Sequence, residues 1–287
     1  MDSRAPFTDR PSPSPLFAAL ALPFGTLTGA AAGLIGVGGG EFRIPFLVAA
    51  YPHHVKSASA VNLVVGLITV ILSTYRRVQL GTFANSDWTL ASLLIVASLA
   101  GATMGARRAH GVRSERLRKI IIGYLLIVGA WMLYEAATQT DHLLLEPGSL
   151  GRWLLGTIVG FVVGFISPFF GVAGGEMRIP ALMYLLAVPI KEAGTLSLVA
   201  SIPTVAAGAL TYQRLGHIDK KQVPLALLLG SGSVIGVLLG VAFLPASDPH
   251  LLKGVLGTVL LLAALGLLLA RHPKRADLRQ PSKSPEP

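Results

Sequence analysis

No cysteine occurs in the 287-residue chain, which excludes disulfides, thiolate metal sites and thiol catalysis. Charge is scarce too: Asp, Glu, Lys and Arg make up 13% of the residues, against roughly 25% in a soluble domain. Acids are the scarcer sign, 14 against 24 Lys+Arg, for a net charge of +10. No HExxH, GxSxG or paired-aspartate arrangement appears, so no enzyme activity, catalytic residue, cofactor or metal is expected. Apolar residues are abundant instead, at 52% of the chain with a mean hydropathy of +0.65. Long apolar runs exclude disorder, and 32 Gly with 19 Pro exclude a simple coiled-coil bundle. The basic residues bracket the apolar runs, which points to a lipid bilayer as partner and not to nucleic acid. The class is a polytopic membrane protein.

Apolar runs near the 20 residues that cross a bilayer predict full helices at Leu16–Ile35, Ala58–Tyr75, Trp88–Ala106, Leu117–Ala136, Trp153–Phe169, Ala193–Tyr212, Val223–Leu244 and Leu251–Ala270. Two shorter pieces, Phe42–Tyr51 and Met177–Val188, follow Gly-rich stretches and predict broken or re-entrant helices about half a membrane long. The expected organisation is a disordered tail over 1–15, a first transmembrane repeat over 16–136, a connecting loop over 137–152, a second repeat over 153–270 and a basic tail over 271–287.

The repeat is written in the residues. Gly36–Pro45 (GVGGGEFRIP) aligns without gaps to Gly171–Pro180 (GVAGGEMRIP), an offset of 135 with eight identities in ten. Lys56 and Lys191, Ala58 and Ala193, and Gly101-xxx-Gly105 and Gly236-xxx-Gly240 keep the register; Lys119 and Gly123 meet Lys253 and Gly257 after a one-residue slip. Such self-similarity marks duplication. Six basic residues and one acid between Arg107 and Lys119, with the basic C-terminal tail, belong in the cytoplasm. The connections around Asp141, Glu146 and Asp248 suit the outside. All hold together if each half crosses an odd number of times. The expected fold is therefore all-α, two inverted repeats of about five helical segments each, with both termini cytoplasmic. That arrangement turns Arg76 and Arg77 outward; a four-plus-four parallel arrangement would spare those two but expose the six-charge loop.

Four charges stand inside apolar stretches as two equivalent pairs: Glu41 with Arg43, and Glu176 with Arg178. A charge at the bilayer centre costs roughly 2.5–3.5 kcal/mol on insertion scales, so it is retained for pairing or for a hydrated pathway. Cross-half pairs, Glu41 with Arg178 and Glu176 with Arg43, would staple the halves or act as a gate. Gly38, Gly39 and Gly40, and in the second half Gly174 and Gly175, let the backbone leave helical geometry. Non-helical backbone is tolerated at membrane depth only inside protein or beside water. Each Pro (Pro45, Pro180) follows near the start of a half-helix, whose N-terminus favours an anion. The glycines, Arg43 and Arg178 are thus candidate substrate-binding residues, with Glu41 and Glu176 for proton coupling or gating.

Weaker candidates are Asn62, Ser167 and Ser197, polar groups in apolar helices, which fit a pathway or interhelical hydrogen bonds. The two Gly-xxx-Gly patterns read as close helix packing, Trp88 and Trp153 as interface anchors, and His53 and His54 as interfacial and not metal-binding. GVGGGE lacks the strand–turn–helix setting of a dinucleotide site.

The two copies, Gly38–Pro45 and Ala173–Pro180, set in duplicated halves over about residues 16–270, resemble the TauE/SafE family, named for sulfite export. The resemblance implies a bacterial or archaeal inner-membrane secondary transporter for sulfite, sulfonates or related small organic anions. The expected function is transport of a small anion by alternating access, with a passive anion channel as the alternative. The sequence allows a homo-oligomer.

Overall fold

The computed structural model describes residues 15–50, 55–83, 88–108, 114–140, 149–170, 173–214 and 222–269. Both tails, His53, His54, Gly171, Asp141 and Glu146 lie outside the described residues. Within them are ten α-helices: α1 Pro15–Ile35, α2 Gly40–Ala50, α3 Val55–Gln79, α4 Trp88–Arg108, α5 Ser114–Thr138, α6 Ser149–Phe170, α7 Gly175–Leu186, α8 Ile190–Arg214, α9 Val223–Phe243 and α10 Pro249–Leu269. Eight are long and apolar enough to cross a membrane. The other two, α2 with 11 residues and α7 with 12, reach only about half of a ~30 Å hydrocarbon core at 1.5 Å per residue. Leu27, Val96, Ile120, Ile127 and Leu269 are exposed, as expected of faces covered by lipid.

The helix starts carry the sequence repeat into three dimensions. α2 and α7, α3 and α8, α4 and α9, and α5 and α10 each begin 135 residues apart. Two crossings exchange helices between the halves. α1 runs alongside α9 in the same direction, Gly25 against Leu229, Gly29 against Ser233 and Gly33 against Val237. α6 runs alongside α4 in the same way, Gly156 against Leu90, Gly160 against Leu94 and Gly164 against Ser98. Glycines line both sides: a Cβ on Gly236 would lie 2.0 Å from the Thr26 carbonyl oxygen, and one on Gly101 2.2 Å from that of Phe161. With no hydrophobic drive between helices in lipid, such close backbone approach supplies the dispersion contact that holds them. The sequence motif at Gly101/Gly105 and Gly236/Gly240 therefore has partners on α6 and α1 that its own repeat unit does not contain.

The remaining equivalent pairs run in opposite directions. On α5 and α10, Gly129 meets Gly257 and Ala136 meets Gly254. On α3 and α8, Leu63 meets Gly208, Gly66 meets Val205, and Arg77 meets Thr195. The largest core cluster draws on both halves, joining Ile35, Val37 and Leu94 to Ile179, Leu182 and Leu196.

Arg76 is exposed and bonds Gln79, but Arg77 is wholly buried. It donates to the Gly33 and Leu34 carbonyls at 2.9 and 3.0 Å, to the Lys191 carbonyl at 2.6 Å and to Thr195 Oγ1 at 3.0 Å. The first two carbonyls belong to the last turn of α1, which has no intrahelical donors left and carries the negative end of the helix dipole. The charge is compensated by backbone, not by water.

Candidate functional site

The two glycine stretches meet in the middle of the bundle. Gly39 and Gly174, equivalent positions, both adopt positive φ, 70° and 76°, a conformation costly for any residue with a Cβ. Each turns the chain into the next half-helix, α2 from Gly40 and α7 from Gly175. A Cβ on Gly38 would fall 2.7 Å from the Ala173 Cβ, and one on Gly175 3.1 Å from the Val37 Cα. The stretches therefore pack against each other. Gly40 abuts the buried Asn62, and Gly174 abuts Ser167, whose hydroxyl donates to the Val163 carbonyl at 2.7 Å. The prolines lie one turn inside the half-helices; lacking N–H groups, Pro45 and Pro180 leave the carbonyls of Glu41 and Glu176 without their usual helical donors.

Arg43 and Arg178 are wholly buried. From Arg43, Nη1 reaches Thr69 Oγ1 at 2.9 Å and Ser233 Oγ at 3.2 Å, and Nη2 donates to the Gly38 carbonyl. From Arg178, Nη1 donates to the Ser197 carbonyl at 3.0 Å and to Ser201 Oγ at 2.8 Å. Its Nε and Nη2 have no protein partner, and neither does the Ser197 hydroxyl. An unmade hydrogen bond at a buried donor costs about 1–3 kcal/mol, more for a charged group, so the free edge of Arg178 is the group in this site with most to gain from an anion.

The cross-half ion pairs do not form: neither Glu41 with Arg178 nor Glu176 with Arg43 comes within salt-bridge distance. Each guanidinium feels the glutamate of its own half, and the two carboxyl groups adjoin each other. No donor serves Glu41 Oε1, Glu41 Oε2 or Glu176 Oε2, all buried. Both glutamates stand in the first turn of their half-helices, where the dipole and the free N–H groups favour negative charge. Each half-helix start thus already carries a carboxyl group of the chain. Tyr124, on α5, donates to the Met177 carbonyl of α7 at 3.1 Å beside this group.

Sequence reading missed a second buried charge cluster. Lys253 Nζ lies 2.7 Å from Glu135 Oε2 with both side chains buried. Tyr184, near the end of α7, donates to the same oxygen at 3.0 Å, and Trp131 Nε1 to the other at 3.2 Å. Glu135 looks like a helix-end residue in sequence, and Lys253 like the start of α10. Only a search for charges within a turn of a predicted span end would have flagged them.

The family model for the sulfite exporter TauE/SafE matches residues 20–221 and 156–287. A probable membrane transporter protein of Methanocaldococcus jannaschii is 26% identical over 85% of this chain and 93% of its own. One from Xylella fastidiosa is 26% identical over 84% and 91%. One from Sinorhizobium is 34% identical over a shorter stretch, 44% of this chain and 46% of its own. No solved structure matches.

Proposed function

The chain belongs to the sulfite exporter TauE/SafE family, and on that premise we propose that it is a secondary transporter moving a small anion, sulfite, a sulfonate or a related organic anion, across the inner membrane by alternating access. The observation that carries this reading is the fully enclosed guanidinium of Arg178 with two unpartnered donors. A guanidinium edge matches an oxyanion in two parallel hydrogen bonds. Gly38–Gly40 and Gly174–Gly175 allow close approach, Arg43 braces the first half, and Asn62, Ser167 and Ser197 surround the glycines.

The halves act as inverted repeats. The antiparallel runs of α3 on α8 and of α5 on α10, equivalent helices in each case, support a pseudo-two-fold axis in the membrane plane. The same directions gather the start of α1, the end of α10 and the basic α4–α5 connection at one end, which supports cytoplasmic termini. Enclosure of Arg43 and Arg178 favours an occluding transporter over an open channel.

Glu41 and Glu176 supply coupling. As carboxylates they place negative charge at the helix ends that an incoming anion would need; a proton taken up between them lowers that competing charge. Anion and proton then move together. The test is flux into proteoliposomes of labelled sulfite, thiosulfate, a sulfonate and short carboxylates under an imposed pH gradient. One of these is expected to accumulate against its gradient in wild type, at least about tenfold more slowly in Arg178→Ala, and without response to the pH gradient in the Glu41→Gln/Glu176→Gln variant. Unaltered flux in Arg178→Ala would remove the arginine from the site.

A further inference from the structure

Arg43 and Arg178 are equivalent in the repeat yet are bonded differently, and the difference has a pattern. Moved by the 135-residue offset, the three acceptors of Arg43 (Thr69, Ser233 and the Gly38 carbonyl) become Thr204, Ser98 and the Ala173 carbonyl. All three groups are present, Thr204 and the Ala173 carbonyl in the second half and Ser98 on α4 of the first, and none of them receives Arg178. The Ser98 hydroxyl is wholly buried without a partner. Thr204 donates only along its own helix, to the carbonyls of Ala200 and Ser201. The Ser201 hydroxyl accepts Arg178 Nη1 at 2.8 Å, and its one proton faces the Ser197 carbonyl at 2.7 Å and the Ala173 carbonyl at 3.3 Å.

Ser201 is the diverting residue. It stands where the first half has Gly66, beside Arg43 Nη2, and it interposes its hydroxyl between Arg178 and the Ala173 carbonyl. The surroundings of the vacant group are otherwise matched. Ser233 sits in the α1–α9 crossing against Gly25 and Gly29, and Ser98 sits in the α4–α6 crossing against Gly160 and Gly164.

We infer that Ser98, with Thr204, is a second and presently vacant seat for the Arg178 guanidinium, occupied when the two halves exchange conformations during the transport cycle. The inference rests on the transporter reading above. In an inverted repeat the opposite-facing state is reached when each half takes the other's arrangement, so the bonds of Arg43 describe where Arg178 goes. In the present state the chain leaves the buried Ser98 hydroxyl of the first half and the buried guanidinium edge of Arg178 in the second both unsatisfied; the exchange joins them, and the gain from satisfying both is available only after the move. Ser98 acts through Arg178 and is a positioning residue.

Two measurements decide it. Ser98→Ala deletes the vacant seat without removing any hydrogen bond of the present conformation. It should melt with wild type but lower kcat for pH-driven sulfite flux about tenfold, with KM within about twofold. Ser201→Gly restores the first half's residue; its structure in lipid nanodiscs should show Arg178 on Ser98 and Thr204, a readout that needs no flux. Wild-type kcat in Ser98→Ala, or Arg178 still on the Ser197 carbonyl in Ser201→Gly, overturns the inference. Should wild type move none of the tested anions, the transporter reading fails and the Ser201→Gly structure alone decides the seat.

Discussion

Replacing Lys253 by Met would take the ammonium at 2.7 Å away from the buried Glu135 carboxylate. The pair is held at 2.7 Å with side chains 7% and 0% exposed, so water cannot take over. Tyr184 and Trp131 still donate to the carboxylate, but two neutral donors do not balance a full charge in a low dielectric. Breaking a buried pair by removing one partner costs about 3–5 kcal/mol. At roughly 2–4 °C per kcal/mol for a chain of this size, the melting temperature should fall on the order of 10 °C. Glu135→Gln should cost less than Lys253→Met, because an amide keeps acceptor capacity for Tyr184 while the stranded Lys253 ammonium retains some reach toward the surface. The double variant, Glu135→Gln with Lys253→Met, should recover to within about 1 kcal/mol of wild type, because neither charge is then stranded. The assay is tryptophan-fluorescence melting of the four proteins in one detergent, read as a double-mutant cycle. Single variants that melt with wild type, or a double variant whose loss equals the sum of the singles, would refute the reasoning.

Two further outcomes follow from the fold. Arg77→Met should lower stability by about 2–4 kcal/mol, since it strands the Gly33 and Leu34 carbonyls at the end of α1; Arg77→Lys should recover little, because an ammonium cannot reproduce a fork that bonds three carbonyls and Thr195 at once, as thermal melting will show. Gly236→Leu should abolish a monodisperse peak on size-exclusion chromatography, since even a Cβ would sit 2.0 Å from the Thr26 carbonyl oxygen in the α1–α9 crossing. Gly123→Leu, at a position with open space around it, should leave that peak intact.

Much of the architecture is legible in the residues for one reason: lipid demands that each crossing satisfy its own backbone, so span length and apolarity are local properties. That is why all eight spans and both half-length helices sit close to where hydropathy places them, and why Gly39 and Gly174, forced to positive φ, mark the breaks. Charge was harder. Glu41, Arg43, Glu176 and Arg178 stood out because they interrupt apolar runs. Arg77, Glu135 and Lys253 did not, because near a span end the sequence cannot distinguish a side chain reaching water from one turned inward. Cross-half pairing, one of the two readings those charges allowed, does not form: both glutamates are held at the starts of their own half-helices, so the carboxyls meet each other and the guanidiniums turn to hydroxyls and carbonyls.

The sequence by itself determined that this chain lives in a bilayer, how many times it can cross, where two crossings are cut short and which segments are copies of each other. Each of these depends on composition and spacing along a single stretch. Only the tertiary structure decided that α1 leaves its own half to lie on α9 and α6 leaves its half to lie on α4. Only it decided that a lone arginine caps α1 and that one of two equivalent arginines keeps a free edge. Those outcomes depend on which distant surfaces fit at backbone contact, and a hydrogen bond between residues more than a hundred positions apart leaves no trace in the spacing of either.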